Sequence, residues 1–538
     1  MTGWYNDYLA IADDSMLGRG VGQLGEKLAS DYILERLVEE GITPYIEGYF
    51  QEFGIVTSEL ITDDFSFTSL LSEMGLSNQN AGKHKLILND DISIINKNGL
   101  NEVDLNTGLV YVNHGVRDRY LELDDYKGLS VKGKIVVFIE GLPLGSNLDW
   151  ANGDILLKVE NAKSLGASGV IVLPYIKKGS ADNLFSNYAS HFRQLIHYTA
   201  KLADADDGDD FFSKEKSDEI PVFLLNPNSL YKIGLNLTSV LEDMYDEADR
   251  YKVDTWLKSS RKHPVAKKLE AEVDIKFSVE KKNLTSRNVV GMIESEGSDK
   301  YVVVSAHYDH LGISVPVEGD SIYNGAYDNA MGVSALIELG KRLNQRKDEL
   351  KSNIVLLFTT GEEKGLLGSQ AFLRDLDIYY SQITANINID GLSAFGLAEE
   401  FFVVGESYSE LGEIATEIIE SSGFEVTTPS ESGVYEDVDY FQASEQYVFA
   451  LEGIPSVLIS DGIGHEGIED DHIGRLITEY STNYYHTPFD DIMLPFSLEG
   501  ADRHISLLEE LAIRASKSTN IEWATDSPFS RDIKTALK

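Results

Sequence analysis

Six residues in the C-terminal half of this 538-residue chain have side chains suited to holding metal ions and moving a proton: His307, Asp328, Glu362, Glu363, Asp390 and His486. Four of them follow three apolar runs. His307 ends the run in "YVVVSAHYDH", the Glu362–Glu363 pair follows "NIVLLFTT", and Asp390 closes "ITANINID". Asp328 lies in "NGAYDNAMG" and His486 in "YYHTPFDD". Apolar runs that finish in metal-competent residues predict buried parallel strands delivering ligands to one edge of a sheet. The chain has no cysteine, so imidazole nitrogen and carboxylate oxygen are the donors left for zinc.

A hydrolytic site with two ions spaces them roughly 3.5–4 Å apart, so one carboxylate must reach both. Asp328, in a glycine-flanked turn before a helical stretch, is the natural bridge. His307 and Asp390 then complete one shell, Glu363 and His486 the other. Water in the open positions would be acidified into a nucleophile at neutral pH, a zinc-bridged hydroxide. Glu362, beside a ligand but pointing elsewhere, is the expected general base, taking the water's proton and passing it to the leaving amine.

The stretches "SAHYDHLG", "NGAYDNAMGVSALIELG", "FTTGEEKGLLGSQAF", "NINIDGL" and "YYHTPFDD" together resemble the co-catalytic dizinc aminopeptidases, whose relatives include glutamate carboxypeptidase, transferrin receptor and glutaminyl cyclase. The resemblance spans at least Tyr301 to Asp491. It implies a zinc-exopeptidase fold, a mixed and mostly parallel α/β sheet sandwiched by helices, and two Zn2+ (Co2+ or Mn2+ suit the same donors). It also implies roles for Asp309, as a carboxylate orienting His307, and for Tyr485, whose hydroxyl would steady the tetrahedral oxyanion. His310 is read as loop support and is not assigned to metal. His465 and His472, in "GHEGIEDDHIG", are read as part of a solvated loop. One segment departs from the family: where many relatives have a "SDHYPF"-like stretch, Ser444 to Phe449 read "SEQYVF".

The elements that must position these residues fall into three stretches. Residues 1–61 are expected to pack on the catalytic domain. Their Leu28, Tyr32, Ile33 and Leu37 have helical spacing, and Gly41 is the expected stop. Residues 62–270 alternate short β-rich runs such as "VKGKIVVFIEG" and "GASGVIVLPY" with one helical stretch. They resemble a protease-associated (PA) domain, a β-rich insert expected to act as a scaffold. Within them, "FSNYASHFRQLIHYTAKLADADDGDDFF" reads as an extra helix followed by an acidic loop. Residues 271–538 alternate strands with helices, the pattern of a parallel sheet covered on both faces. Apolar stripes fall on Leu336, Leu339 and Leu343, and on Leu411, Ile414 and Ile418. The tail after Thr519 reads as polar and peripheral.

Length alone calls for more than one domain, and 42% hydrophobic residues fit a well-packed globular chain. A net charge of −43, from 46 basic against 89 acidic residues, argues against nucleic-acid binding. No apolar run is long enough to span a membrane, and "MTGWYNDYLA" lacks the basic start and apolar centre of a signal peptide. The family resemblance nonetheless implies a secreted or periplasmic address. The expected activity is that of a metallo-aminopeptidase acting on peptides with free N-termini, in an oligomeric state the sequence leaves open. The alternatives are a carboxypeptidase or a glutaminyl-cyclase-like enzyme, and a receptor-like ectodomain without catalysis. A carboxypeptidase needs basic residues to grip a carboxylate, and Lys364 is the charged candidate near these motifs.

Overall fold

The computed structural model describes residues 3–72, 81–96, 100–118, 123–141, 155–174, 200–203, 220–235, 266–376, 378–428, 440–518 and 520–530. The chain divides into two compact units. Met1–Ile55, Leu202–Asp204 and Leu284–Lys538 make up the first, Val56–Lys201 and Ala205–Asn283 the second.

In the first unit, "YVVVSAH" forms the strand Tyr301–His307, buried from Val302 onward. Its β-branched valines suit a pleated backbone, and burial on both faces removes any polar alternation. It pairs in parallel with Asn353–Thr359 and with Ile383–Asn388, which pairs in parallel with Ser456–Asp461. Antiparallel strands flank this centre: residues 289–293 beside Asn353–Thr359, and Glu400–Val404 beside Ser456–Asp461. The fold is the mixed, mostly parallel sheet flanked by helices that the sequence predicts. Its register is what builds a site. Ser305 lies level with Asn388 and His307 with Thr359. Two residues past Asn388 therefore bring Asp390 beside His307, and three past Thr359 bring Glu362.

The helices cover this sheet with their apolar stripes. Met331–Gln345 buries Leu336, Leu339 and Leu343. Glu410–Ser421 buries Leu411 and Ile418. Leu498–Lys517 starts at Ser497, whose side chain accepts the Gly500 N–H, and buries Ile505, Leu508 and Ala512. The N-terminal helices Gly3–Ile11 and Leu24–Glu39 add Trp4, Tyr8, Ile33 and Leu37 to the same core. Leu28 differs from expectation. It is 36% exposed, and Ala29 takes its place on the buried face.

The tail is corrected. Ile521 and Phe529 are buried, Trp523 donates its indole N–H to the Gly453 carbonyl at 3.0 Å, and Phe529 packs with Phe402 and Phe441. Three apolar anchors spaced among polar residues are enough to dock a segment whose composition reads as peripheral.

The second unit has its own parallel strands, Glu102–Tyr111, Ile135–Ile139, Gly169–Leu173 and Val222–Leu225. Ile92–Asn96 and residues 267–278 flank them antiparallel. Alternation assigns the two faces: Ile135, Val137 and Ile139 enter one core, Val136 and Phe138 another, the latter covered by the helix Ile155–Ser164. The extra helix and acidic loop expected over 185–212 lie outside the described residues, except at 200–203, where Ala200–Leu202 form a short strand.

Candidate metal centre

The strand ends and loops converge on two groups of metal-competent side chains that share one carboxylate. His307, Asp328 and Asp390 form the first group; His310, Asp328, Glu363 and His486 form the second. The Nε2 of His307 lies 3.2 Å from Asp328 Oδ1 and 3.3 Å from Asp390 Oδ1. His486 Nε2 lies 3.0 Å from Asp328 Oδ2 and 3.5 Å from Glu363 Oε1. The two oxygens of Asp328 thus face different histidines. Donors bound at about 2.0–2.1 Å to one tetrahedral ion stand about 3.3 Å from each other, and these separations match that shell.

All five sequence-predicted ligands are brought together. Glu362 is in neither group, although its carboxyl shares their electrostatic field. Tyr485 stacks on His486 with ring centroids 3.6 Å apart. Asp309 is fully buried, but the contact of His307 Nδ1 with its backbone carbonyl, at 3.2 Å, is shorter than the 3.8 Å to its carboxylate. That carboxylate accepts the N–H groups of Glu362 at 3.2 Å and Glu363 at 3.4 Å, so it fixes the turn carrying both glutamates. His465 sits apart, 3.3 Å from Asp461.

Each ligand loop is braced by groups that pattern reasoning did not assign. Arg19 is fully buried and donates to the carbonyls of Tyr308 at 2.7 Å, Ile11 at 2.9 Å and Gly325 at 2.8 Å, and to that of Asn324. It therefore ties the N-terminal segment to the loops bearing His307 and Asp328. Asp490 grips the Asp328 turn from the donor side, accepting the N–H groups of Tyr327 at 2.9 Å and Asp328 at 3.1 Å. Asn329 links that turn to the Asp390 loop through the Ile389 carbonyl and the Gly391 N–H. Glu26 accepts the hydroxyls of Thr360 and Ser286 and the Gly22 N–H. Glu445, in the segment that departs from the family, is fully buried and accepts the hydroxyl of Thr359 at 2.8 Å. Gly325 has φ +56, and a Cβ there would stand 2.1 Å from the Asp328 carbonyl oxygen, which excludes every other residue.

Asp490 stands in a motif singled out from sequence, and His310 lies three residues after His307, a spacing open to ligands. No local pattern separates Arg19 from a surface arginine.

The charges are arranged for cations. Burial raises the carboxyl of Asp328, but hydrogen bonds from His307 and His486 outweigh it and hold it well below 3.8. Glu363 is likewise lowered against burial, by His486 and His310. Burial would lower His307 and His486, yet Asp390 and Glu362 lift the first well above 6.5 and Glu363 with Asp328 lifts the second. Burial lowers His310. Glu362 is raised well above 4.5 by burial, with Glu363, Glu445 and Asp390 adding to it against His307. Burial also raises Asp309 to about 8 and Asp490 to about 7. The acids raise the proton affinity of both imidazoles, and divalent cations would compete with protons for the same nitrogens. Neither ring nitrogen of His310 nor Glu363 Oε1 makes a hydrogen bond, although all three atoms are buried. Buried polar atoms without partners are what a metal shell supplies and a structural network avoids.

Residues 288–512 match the family described as Peptidase family M28. A probable zinc metalloprotease of Pyrenophora tritici-repentis is 35% identical over 96 residues, 18% of this chain and 21% of that protein. A vacuolar membrane protease of Yarrowia lipolytica is 30% identical over 114 residues, 21% of this chain and 10% of that protein. The matched stretches thus span 21% and 10% of these relatives' own lengths. Among solved structures, an aminopeptidase from Aneurinibacillus sp. strain AM-1 gives a TM-score of 0.53 at 16% identity, covering 95% of this chain and 93% of that one. BSAP, a zinc aminopeptidase from Bacillus subtilis, gives 0.52 at 18% identity, covering 98% and 96%. At such identities the likeness establishes the fold. The expected secreted or periplasmic address does not stand: relatives from Yarrowia lipolytica, Verticillium alfalfae and Clavispora lusitaniae are named vacuolar membrane proteases, and that naming conflicts with it. Among the described residues, no helix is long and apolar enough to cross a membrane.

Proposed function

We propose, from the match of residues 288–512 to Peptidase family M28, that the chain is a two-zinc aminopeptidase that removes N-terminal residues from peptides. The observation that carries this reading is the Asp328 carboxylate, whose Oδ1 lies 3.2 Å from His307 while its Oδ2 lies 3.0 Å from His486. A carboxylate divided between two ligand groups is the bridge a two-ion hydrolytic site needs. His307, Asp390 and Asp328 would hold one ion, and Glu363, His486 and Asp328 the other. The ions would supply Lewis acidity to water and to the scissile carbonyl.

The chain's own residues do the rest. A Glu362 carboxylate oxygen takes a proton from water as the water oxygen bonds to the carbonyl carbon. The same carboxyl then delivers that proton to the nitrogen as the C–N bond breaks. Its raised proton affinity suits both halves of that exchange. The Tyr485 hydroxyl, beside His486, donates to the developing oxyanion. A carboxypeptidase needs basic residues to grip a C-terminal carboxylate, and Lys364 is the charged candidate in the near-site motifs, which supports an aminopeptidase. Residues 62–270 are read as the protease-associated insert, a scaffold without chemistry of its own.

The test compares aminoacyl p-nitroanilides carrying a free α-amine with their N-acetylated forms and with N-blocked, free-carboxyl dipeptides. Hydrolysis confined to the free amines is expected. Preference for either blocked substrate sinks the reading.

A further inference from the structure

His310 stands among the ligands without a stated task. Its ring is fully buried, with Nδ1 2.7 Å from Glu363 Oε1 and 3.9 Å from Asp328 Oδ2, and its ring centroid is 5.6 Å from that of His486. The other ring nitrogen, Nε2, is buried without a hydrogen-bond partner. His310, Glu363, His486 and Asp328 each present a donor atom to one small volume. Going round the group, Nδ1 of His310, Oε1 of Glu363, Nε2 of His486 and Oδ2 of Asp328 are separated by 2.7, 3.5, 3.0 and 3.9 Å. These edges scatter about the roughly 3.3 Å of a tetrahedral zinc shell.

The surroundings keep the ring in place. The His310 N–H donates to the Arg19 carbonyl at 3.3 Å. A side chain at residue 325 would put its Cβ 2.4 Å from the His310 ring carbon Cγ, so the glycine there leaves room for the imidazole.

We propose that His310 is the fourth protein ligand of the second ion, whose shell is His310, His486, Glu363 and Asp328. This rests on the metal-centre reading above and deepens it. The two ions then differ in kind. Four protein donors around the second ion, against His307, Asp328 and Asp390 around the first, make the second the more firmly held and the first the more open. The second ion is retained and the first exchanges.

The experiment is a competitive zinc titration of the metal-free full chain against a chromophoric chelator, for the native protein, His310→Ala and His307→Ala, with thermal unfolding to confirm that each is folded. The native protein should bind two zinc ions, one at least tenfold more tightly. His310→Ala should weaken the tighter ion at least tenfold and leave the other within twofold, and His307→Ala should do the reverse. Retention of both affinities within twofold in His310→Ala overturns the proposal, and so does equal weakening of both ions. A crystal of the zinc-loaded native protein gives a second reading that needs no variant. A His310 nitrogen at about 2.0–2.1 Å from the second ion supports the proposal, and one outside bonding distance overturns it. If the native protein binds fewer than two zinc ions, the two-zinc reading itself fails, which is a different outcome from two ions bound without His310.

Discussion

Asp91 in the second unit and Asp328 in the first are both buried carboxylates, and their surroundings are completed in opposite ways. Asp91 accepts from the Lys232 ammonium at 2.6 and 2.7 Å, from the Ser229 hydroxyl at 2.5 Å and from the Ile87 N–H at 2.8 Å. Every demand of that carboxylate is met by protein. Around Asp328 gather Glu362, Glu363, Asp390 and three histidines, while the His310 ring nitrogen Nε2 is buried without a hydrogen-bond partner. A satisfied cluster holds a fold together. An unsatisfied one is held together by the fold, and the strain of keeping it marks a place meant for something else.

The sharpest way to break this contrast is to remove divalent metal. Dialysis against a chelator should abolish hydrolysis of a free-amine p-nitroanilide, with zinc restoring it. It should also lower the calorimetric stability of the unit holding Asp328, by about 2.7 kcal/mol for each ion previously at a hundredfold its dissociation constant. The unit holding Asp91 should unfold as before. Activity that survives chelation would make the orphaned atoms a structural defect. Next in size is Glu362→Gln. Turnover should fall by about 10²–10⁴ with zinc content and melting temperature unchanged, because the amide cannot take a proton. Near-native kcat in that variant removes the assigned base.

Arg19→Met tests the bracing of the open cluster. Burial pulls the guanidinium down to about 10, opposed by Asp328, Asp490, Asp309 and Glu363, so it remains a cation at neutral pH. Its loss strands the carbonyls of Ile11, Tyr308, Asn324 and Gly325, and about 3 kcal/mol or more of stability should go with it. Urea unfolding measures this, and a change within about 0.5 kcal/mol would mean the carbonyls had found other donors. The smallest effect belongs to the closed cluster. Asp91→Asn should destabilise the second unit by about 1–3 kcal/mol and leave kcat alone. Burial raises the Asp91 carboxyl, but Lys232 and Ser229 outweigh that and keep it below its ordinary 3.8. A lowered pKa means that the native stabilisation is present above 3.8 and disappears as pH falls through the folded value. In the Asn variant that acid dependence should shrink, and an unchanged pH profile would show that Lys232 contributes nothing to Asp91.

Much of the contrast was legible beforehand. His307, Glu363 and Asp390 stand at or just past the ends of apolar runs, and a strand buried on both faces can turn polar only where it leaves the sheet. Parallel pairing then collects those exits on one edge, so order along the chain was enough to expect His307, Glu363 and Asp390 close together. Helical stripes were equally readable at Leu336, Leu339 and Leu343, where period and burial agree. The tail failed because three apolar residues among polar ones carry no period. Leu28 failed because the buried face runs through Ala29, Ile33 and Leu37 at intervals of four, and Leu28 lies one position off it.

What the sequence by itself determined is the inventory: a parallel core, five donors of the right chemistry, an adjacent acid, and no thiol to compete with them. That much follows from local pattern, since burial, period and strand ends are properties of neighbours in the chain. Only the tertiary structure decided that Arg19, from a segment far away in sequence, would sit inside holding four carbonyls, that Asp490 would grip the Asp328 turn, and that His310 would face Glu363. Those pairings depend on direction and distance between residues up to hundreds of positions apart, and a hydrogen-bond donor carries no mark in the sequence of which acceptor the fold will bring to it.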